Sequence, residues 1–334
     1  MKILVTGAAG FIGFHLSKKL LDNRLKVFGL DNLNNYYDVN LKNDRVKILI
    51  NHKSKNFKFL KLDLTNLTKL KNCFKKYKFD VVINLAAQAG VRYSILNPHT
   101  YLKNNIDTFL NILECCKMFK IEHLIFASTS SVYGLDAKMP FSEKKGTNHP
   151  THIYASTKKS NELMAHSYSH LFDLPVTGLR FFTVYGPWGR PDMALFKFTK
   201  NILRNKKIEV YNNGNHARDF TYIDDIVKGI FLLIKRAPKK RSNFQNKNFD
   251  TSVSSAPFRI LNIGRGKKID LMKYLKLLET YLNKKAKIKF LPKQKGDVNE
   301  TFSNIKLIKS FGYRPTVNVK EGVKNFVDWY LSYY

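Results

Sequence analysis

Short β-branched apolar runs alternate along the chain with longer segments in which apolar residues recur every three to four positions. This alternation is the pattern of parallel strands joined by crossover helices. The runs predict strands at 2–6, 26–30, 57–61, 81–85, 123–127 and 176–180, and the periodic segments predict helices at 10–22, 67–77, 104–118 and 153–172. Together they imply an α/β fold with a Rossmann-type doubly wound parallel sheet. After Arg180 the rhythm becomes irregular, with Gly186-Pro187, a short helix near 193–205 and a strand at 209–211. The polar stretch 237–256 reads as a surface loop.

At 334 residues the chain exceeds the usual single core, and 44% hydrophobic residues suffice for a packed interior. We therefore expect a main body over 1–180 and a smaller α/β C-terminal portion over 181–334, some segments of which return to the body. No run of eighteen apolar residues occurs, and the apolar segment 3–6 leads into a glycine-rich turn and not a signal-peptide cleavage site. A cytoplasmic protein without a membrane partner is expected. Cys73, Cys115 and Cys116 are too few for a disulfide framework and read as reduced core thiols. The 58 Lys+Arg against 25 Asp+Glu give a formal charge of +33. The lysines are spread along the chain beside Asn and Ile, so the charge reads as solvated surface and A/T-rich codon bias, with no nucleic-acid partner. A positive field still helps to draw in an anionic substrate.

Gly7, Gly10 and Gly13 follow the first strand directly and open the first helix, with Phe11 and Ile12 between the last two. Glycines there let the backbone turn tightly and approach a pyrophosphate held at the positive end of a helix. Asp31 ends strand two, near the spacing at which a carboxylate accepts hydrogen bonds from both ribose hydroxyls of NAD and repels a 2′-phosphate. Asp63 and Leu64, after strand three, suit the adenine edge. The body 1–180 is thus read as an NAD-binding domain and 181–334 as mainly substrate-binding.

Tyr154 and Lys158 lie four residues apart on a predicted helix, about 40° apart around its axis, so both can face one site. A lysine ammonium close to the phenol, reinforced by a positive nicotinamide ring, lowers a tyrosine pKa from its ordinary value of about 10. Tyr154 then becomes a base at neutral pH. Upstream, Thr129, Ser130 and Ser131 end strand five, where open α/β sheets bind ligands, and supply hydroxyls for the reacting oxygen. His166 and His170 have metal-pair spacing but no third ligand in view, so no metal is expected.

These motifs are joined by Asn84-Leu85-Ala86-Ala87-Gln88-Ala89-Gly90-Val91-Arg92-Tyr93-Ser94 and Tyr185-Gly186-Pro187-Trp188-Gly189-Arg190-Pro191-Asp192-Met193. On them the chain resembles, throughout its length, the nucleotide-sugar epimerase branch of the extended short-chain dehydrogenase/reductases, and within it the UDP-glucuronate 4-epimerases. The resemblance implies that Thr129 hydrogen-bonds the sugar 4-hydroxyl, Tyr154 takes its proton, and Lys158 orients the nicotinamide ribose. It implies hydride transfer from C4 to a retained NAD, rotation of a 4-keto sugar, and return of hydride to its other face. It places Ala86 with the cofactor and Arg92 with the substrate, Arg218 on the UDP diphosphate and Asp297 near the uridine ribose. It also implies a homodimer formed by the helices 104–118 and 153–172, and a place in surface polysaccharide biosynthesis.

Related dehydratases carry an Asp-Glu pair after the catalytic threonine, and related decarboxylases carry a glutamate in the second of those positions. Ser130 and Ser131 leave elimination chemistry without its acid and base, and leave two hydroxyls free to bond a substrate carboxylate. Oxidising C4 of a glucuronate makes a β-keto acid that loses carbon dioxide when its C–CO₂ bond aligns with the carbonyl π system. Thr129, Ser130, Ser131 and Thr183 are expected to hold the carboxylate out of that alignment, with Arg190 as a compensating charge. The nearest alternatives are a 4-epimerase of neutral or N-acetylated UDP-hexoses and a UDP-glucuronate decarboxylase-like enzyme. From another class comes a basic NAD-sensing or nucleic-acid-binding module, against which the Thr129, Tyr154 and Lys158 set argues.

Overall fold

The computed structural model describes residues 1–136, 138–242, 244–245, 250–294 and 296–334. Its centre is a seven-stranded, all-parallel sheet. Six strands match the predicted runs to within two residues: β1 (Lys2–Thr6), β2 (Lys26–Asp31), β3 (Phe57–Lys61), β4 (Val81–Asn84), β5 (His123–Thr129) and β6 (Val176–Phe181). The seventh, Phe258–Ile263, comes from the C-terminal portion and pairs with β6. The order is Phe258–Ile263, β6, β5, β4, β1, β2, β3. The order in which successive strands are added to the sheet reverses between β4 and β1, and the carboxyl ends of these strands therefore open a crevice.

Side chains alternate across the sheet, so Ile3 and Val5 join one hydrophobic cluster while Leu4 joins the other. Helices cover both faces: α1 (Phe11–Asp22), α2 (Val39–Ile50), α3 (Leu67–Tyr77), the short α4 (Val91–Leu96) and α5 (Pro98–Tyr101), α6 (Thr108–Met118) and α7 (Ile153–Phe172). The bounds of α3 and α7 are those read from periodicity. The predicted 104–118 helix differs: Leu102–Asp107 is a π-helical turn that runs into α6. The widened turn lets Asn105 accept from Gln88 N at 2.8 Å and donate to Thr157 Oγ1 at 3.0 Å. Insertions of this kind favour functional sites, because one side chain is re-aimed without ending the helix.

α8 (Ala194–Leu203), α9 (Ile223–Leu233) and α10 (Leu271–Leu282) follow, with the last helix at Val319–Tyr333. α9 packs on α1, while α10 packs on α8 and on Val319–Tyr333. Small sheets pair Lys207–Tyr211 with Lys287–Leu291 and Thr183–Tyr185 with Phe220–Tyr222. The predicted polar stretch 237–256 includes residues 243 and 246–249, which lie outside the described residues. Cys73, Cys115 and Cys116 are buried and unbridged.

Candidate active site

A cavity of about 380 Å³ follows the carboxyl ends of the strands from Asp31 to Tyr154. At one end is the glycine turn. Gly7 sits at φ 69°, its carbonyl accepts from Gly10 N at 2.9 Å, and a Cβ on Gly13 would lie 2.1 Å from that same oxygen. The turn closes only with glycine at position 13. Gly10 caps α1 without a side-chain hydrogen bond, which leaves the first-turn N–H groups for an anion.

Asp31 accepts from Ala9 N at 3.1 Å and Leu33 N at 2.9 Å, one bond per carboxylate oxygen. Each oxygen keeps a further lone pair for a hydroxyl donor. Burial raises the Asp31 pKa, opposed by these bonds and by Lys42 and Arg45. Asp63 accepts from Asn32 Nδ2 at 2.8 Å and from Thr65; burial pushes its carboxyl up, but these bonds win and hold it low. Leu64 and Ala86 complete this wall, and the Ala86 amide donates to Thr6 Oγ1 at 3.1 Å. A carboxylate for a ribose, a helix amino end for a diphosphate and a slot between them fit NAD.

The other end is set by α7 and β5. His152 caps α7 by accepting from Ala155 N at 3.1 Å, which starts the helix in register to turn both Tyr154 and Lys158 into the cavity. Burial pushes the Tyr154 phenol up, while a hydrogen bond from Thr129 and the charge of Arg190 pull it back. Burial brings Lys158 down to about 8. The Lys158 Nζ donates to Ala127 O at 2.9 Å, so the buried ammonium is held by the end of β5. Thr129, Ser130, Ser131, Thr183 and Arg190 line the same cavity.

Arg190 is bound to Asp192 by a two-point ion pair, Nε–Oδ1 at 3.0 Å and Nη2–Oδ2 at 2.5 Å, and Tyr36 donates to Asp192 at 3.4 Å. Asp192 and Tyr36 were not singled out in the sequence, although Asp192 stands in the same string as Arg190. Arg92, Arg218 and Asp297 do not line the cavity; they form a second polar group. Arg92 pairs with Asp297 at 3.5 Å and lies 4.3 Å over the Tyr211 ring. Arg218 donates to the carbonyls of Ala217, Val298 and Asn299 at 2.8–2.9 Å. The Asp297 charge acts on His152, two residues before Tyr154, so this group abuts the cavity. Trp188 packs among Phe14, Trp329 and Tyr333, and His166 bonds Ser254 Oγ at 3.0 Å.

Sequence reasoning also missed a buried network behind the site. Glu162, two turns beyond Tyr154, binds Arg180 with bonds of 2.9 and 2.8 Å and accepts from Ser128 Oγ at 2.6 Å. Ser128 precedes Thr129, so the network ties α7, β5 and β6 together under the hydroxyls.

A glycine turn and acidic strand end at the switch point, with a Tyr/Lys pair across the crevice, define a Rossmann enzyme that works with a bound dinucleotide. The model of the NAD dependent epimerase/dehydratase family matches residues 3–245, and the chain belongs to that family. It is 51% identical to "Protein CapI" of Staphylococcus aureus over 100% of this chain and 99% of that protein. It is 45% identical to the "Probable UDP-glucuronate 4-epimerase" of Rhizobium meliloti (strain 1021), over 100% and 98%. The structure of UDP-glucuronic acid 4-epimerase from Bacillus cereus, with UDP-glucuronic acid and NAD, superposes with a TM-score of 0.88. It is 34% identical, with 100% of both chains covered.

Proposed function

We propose that the chain inverts C4 of UDP-glucuronate, interconverting it reversibly with UDP-galacturonate while keeping NAD in the slot. The observation that carries this reading is the wall beside Tyr154. Four hydroxyls, from Thr129, Ser130, Ser131 and Thr183, line the cavity with Tyr154 and the Arg190 guanidinium, and by the family resemblance Ser130 and Ser131 take the place of the acid and base that elimination needs. Such a wall binds a carboxylate. The relatives named for UDP-glucuronate support the same substrate.

NAD, held by Gly7, Gly10, Phe11, Ile12, Gly13, Asp31, Asp63, Leu64 and Ala86, supplies the acceptor and donor of the C4 hydride. Thr129 donates to the sugar O4 and Tyr154 removes its proton; Lys158 orients the cofactor ribose and favours the phenolate. Ser130, Ser131 and Thr183 hold the carboxylate away from alignment with the C4 carbonyl, and Arg190 neutralises it by exchanging Asp192 for the substrate. Arg92, Arg218 and Asp297 receive the UDP portion beside the cavity. The chain acts as a cytoplasmic enzyme of surface polysaccharide biosynthesis. No described helix is long and apolar enough to cross a membrane. Leu102, Leu110, Leu163, Leu171 and Phe172 are exposed on the adjoining 102–118 and α7 helices, an apolar face that a second copy covers in a homodimer.

Purified protein is incubated with UDP-glucuronate, without added NAD, and the sugar proton signals are followed by NMR. UDP-galacturonate is the expected product. A pentose with carbon dioxide would mean the carboxylate is not restrained, and conversion of UDP-glucose alone would mean the wall serves a neutral sugar.

A further inference from the structure

Arg45 of α2 is fully buried, and among the described residues no carboxylate lies within ion-pair distance of it. Its guanidinium donates instead to four oxygens: Ala9 O at 2.8 Å, Tyr37 Oη at 2.8 Å, Trp188 O at 2.6 Å and Gly189 O at 3.2 Å. Ala9 belongs to the glycine turn, whereas Trp188 and Gly189 lead directly into Arg190. On α1, His15 Nε2 stands 2.9 Å from Pro187 O. Burial brings the imidazole down to about 4, against the Pro187 carbonyl and with help from Arg45 and Lys18. The ring is therefore neutral near pH 7, and the carbonyl partner fixes its single N–H on Nε2. Three successive carbonyls, 187 to 189, are thus held by two helices of the cofactor half.

The side chain of this segment is held as well. Trp188 sits at φ 58°, a left-handed conformation that a bulky residue keeps only where its surroundings over-determine it. Phe14, Trp329 and Tyr333 surround its ring at centroid distances of 5.5, 5.4 and 4.9 Å.

We propose that Arg45 and His15 are positioning residues for Arg190. They fasten the 187–189 backbone to the glycine-turn side of the cofactor half, and so fix the root from which the Arg190 side chain exchanges Asp192 for the substrate. The proposal rests on the reading that Arg190 meets a substrate carboxylate. A planar fork with five donors spans Ala9 and Trp188–Gly189 at once; the point charge of a lysine does not. The backbone of the Arg190 segment is then tied to the cofactor turn and is not a free lid.

The test uses NAD-loaded enzyme. Arg45→Lys, His15→Leu and the donor-retaining His15→Gln are each made alone and with Arg190→Ala, and UDP-glucuronate turnover is read with amide hydrogen exchange over 186–193. Arg45→Lys and His15→Leu are expected to lower kcat on the order of 10- to 100-fold and to speed exchange in that segment, with α7 unchanged and His15→Gln near wild type. In the Arg190→Ala background the same changes should cost little more, because the residue they position is gone. Undiminished turnover, losses that multiply with Arg190→Ala, or unchanged exchange would each overturn the proposal; Arg45→Lys failing to fold leaves the His15 pair to decide. A wild type inert toward UDP-glucuronate would overturn the uronate reading instead, while hydrogen exchange still decides whether the segment is anchored.

Discussion

Replacing Glu162 by glutamine removes one charge from the buried network under the site while keeping its volume and one acceptor oxygen. Arg180 and Glu162 side chains are 1% and 3% exposed, so the remaining guanidinium is left without its counter-charge and out of water. Breaking such a pair from one side costs about 3–5 kcal/mol. The amide oxygen of a glutamine still accepts from Ser128 or from Arg180 Nε, which puts Glu162→Gln near the lower end and Glu162→Ala near the upper. At about 2 °C per kcal/mol for a chain of this size, melting should fall by about 6–10 °C. Thermal unfolding followed by circular dichroism at pH 7.5 measures it. The pH dependence supplies an independent check. Burial raises the Glu162 pKa, but Arg180 and the hydrogen bonds outweigh it and leave the folded value below 4.5. Stability from this carboxylate is present above about pH 4.5 and is lost as pH falls through the folded value. The gap between wild type and Glu162→Gln should therefore be constant from pH 6 to 8 and narrow progressively as pH falls below about 4.5. A loss under about 2 °C would show that the pair does not hold α7, β5 and β6 together.

Tyr154→Phe should lower turnover by about 10²–10⁴-fold and leave bound NAD in the protein, since it removes the base and not the glycine cradle; NAD released by denaturing the variant would be assayed. Arg190→Ala should slow UDP-glucuronate conversion by at least tenfold without improving UDP-glucose, and an unchanged uronate rate would remove Arg190 from the reaction. Leu163→Glu combined with Leu171→Glu should convert a dimer to a monomer in light scattering; a monomeric wild type would refute the interface.

What the sequence discloses depends on how local each signal is. The helix 153–172 and the six strands were legible because a 3.6-residue or two-residue period is a property of neighbouring positions. The strand Phe258–Ile263 was not, because Arg259 and Asn262 interrupt its apolar run. Both are buried with distant partners, Arg259 on Thr177 at 3.0 Å and Asn262 on Glu143 at 2.8 Å, which no local pattern reveals. The helix Val39–Ile50 was hidden for a similar reason, since its Lys42 and Arg45 are buried among the Asn34 and Trp188 segments. At the site, glycine spacing and the Tyr154/Lys158 interval point to the cavity directly. The bond from Lys158 to Ala127, the Arg190–Asp192 pair and the Arg45 anchor are tertiary, and only coordinates disclose them. Arg92, Arg218 and Asp297 were singled out by the resemblance of their local strings, while their gathering in a group beside the cavity is tertiary.

The central claim is that C4 of a UDP-uronate gives up its hydrogen as hydride and receives the same one back. UDP-glucuronate deuterated at C4 is incubated in ordinary water with enzyme and no added NAD, and the products are examined by NMR and mass spectrometry. The account predicts UDP-galacturonate with the deuterium still at C4, whereas loss of the label to water during inversion would contradict it.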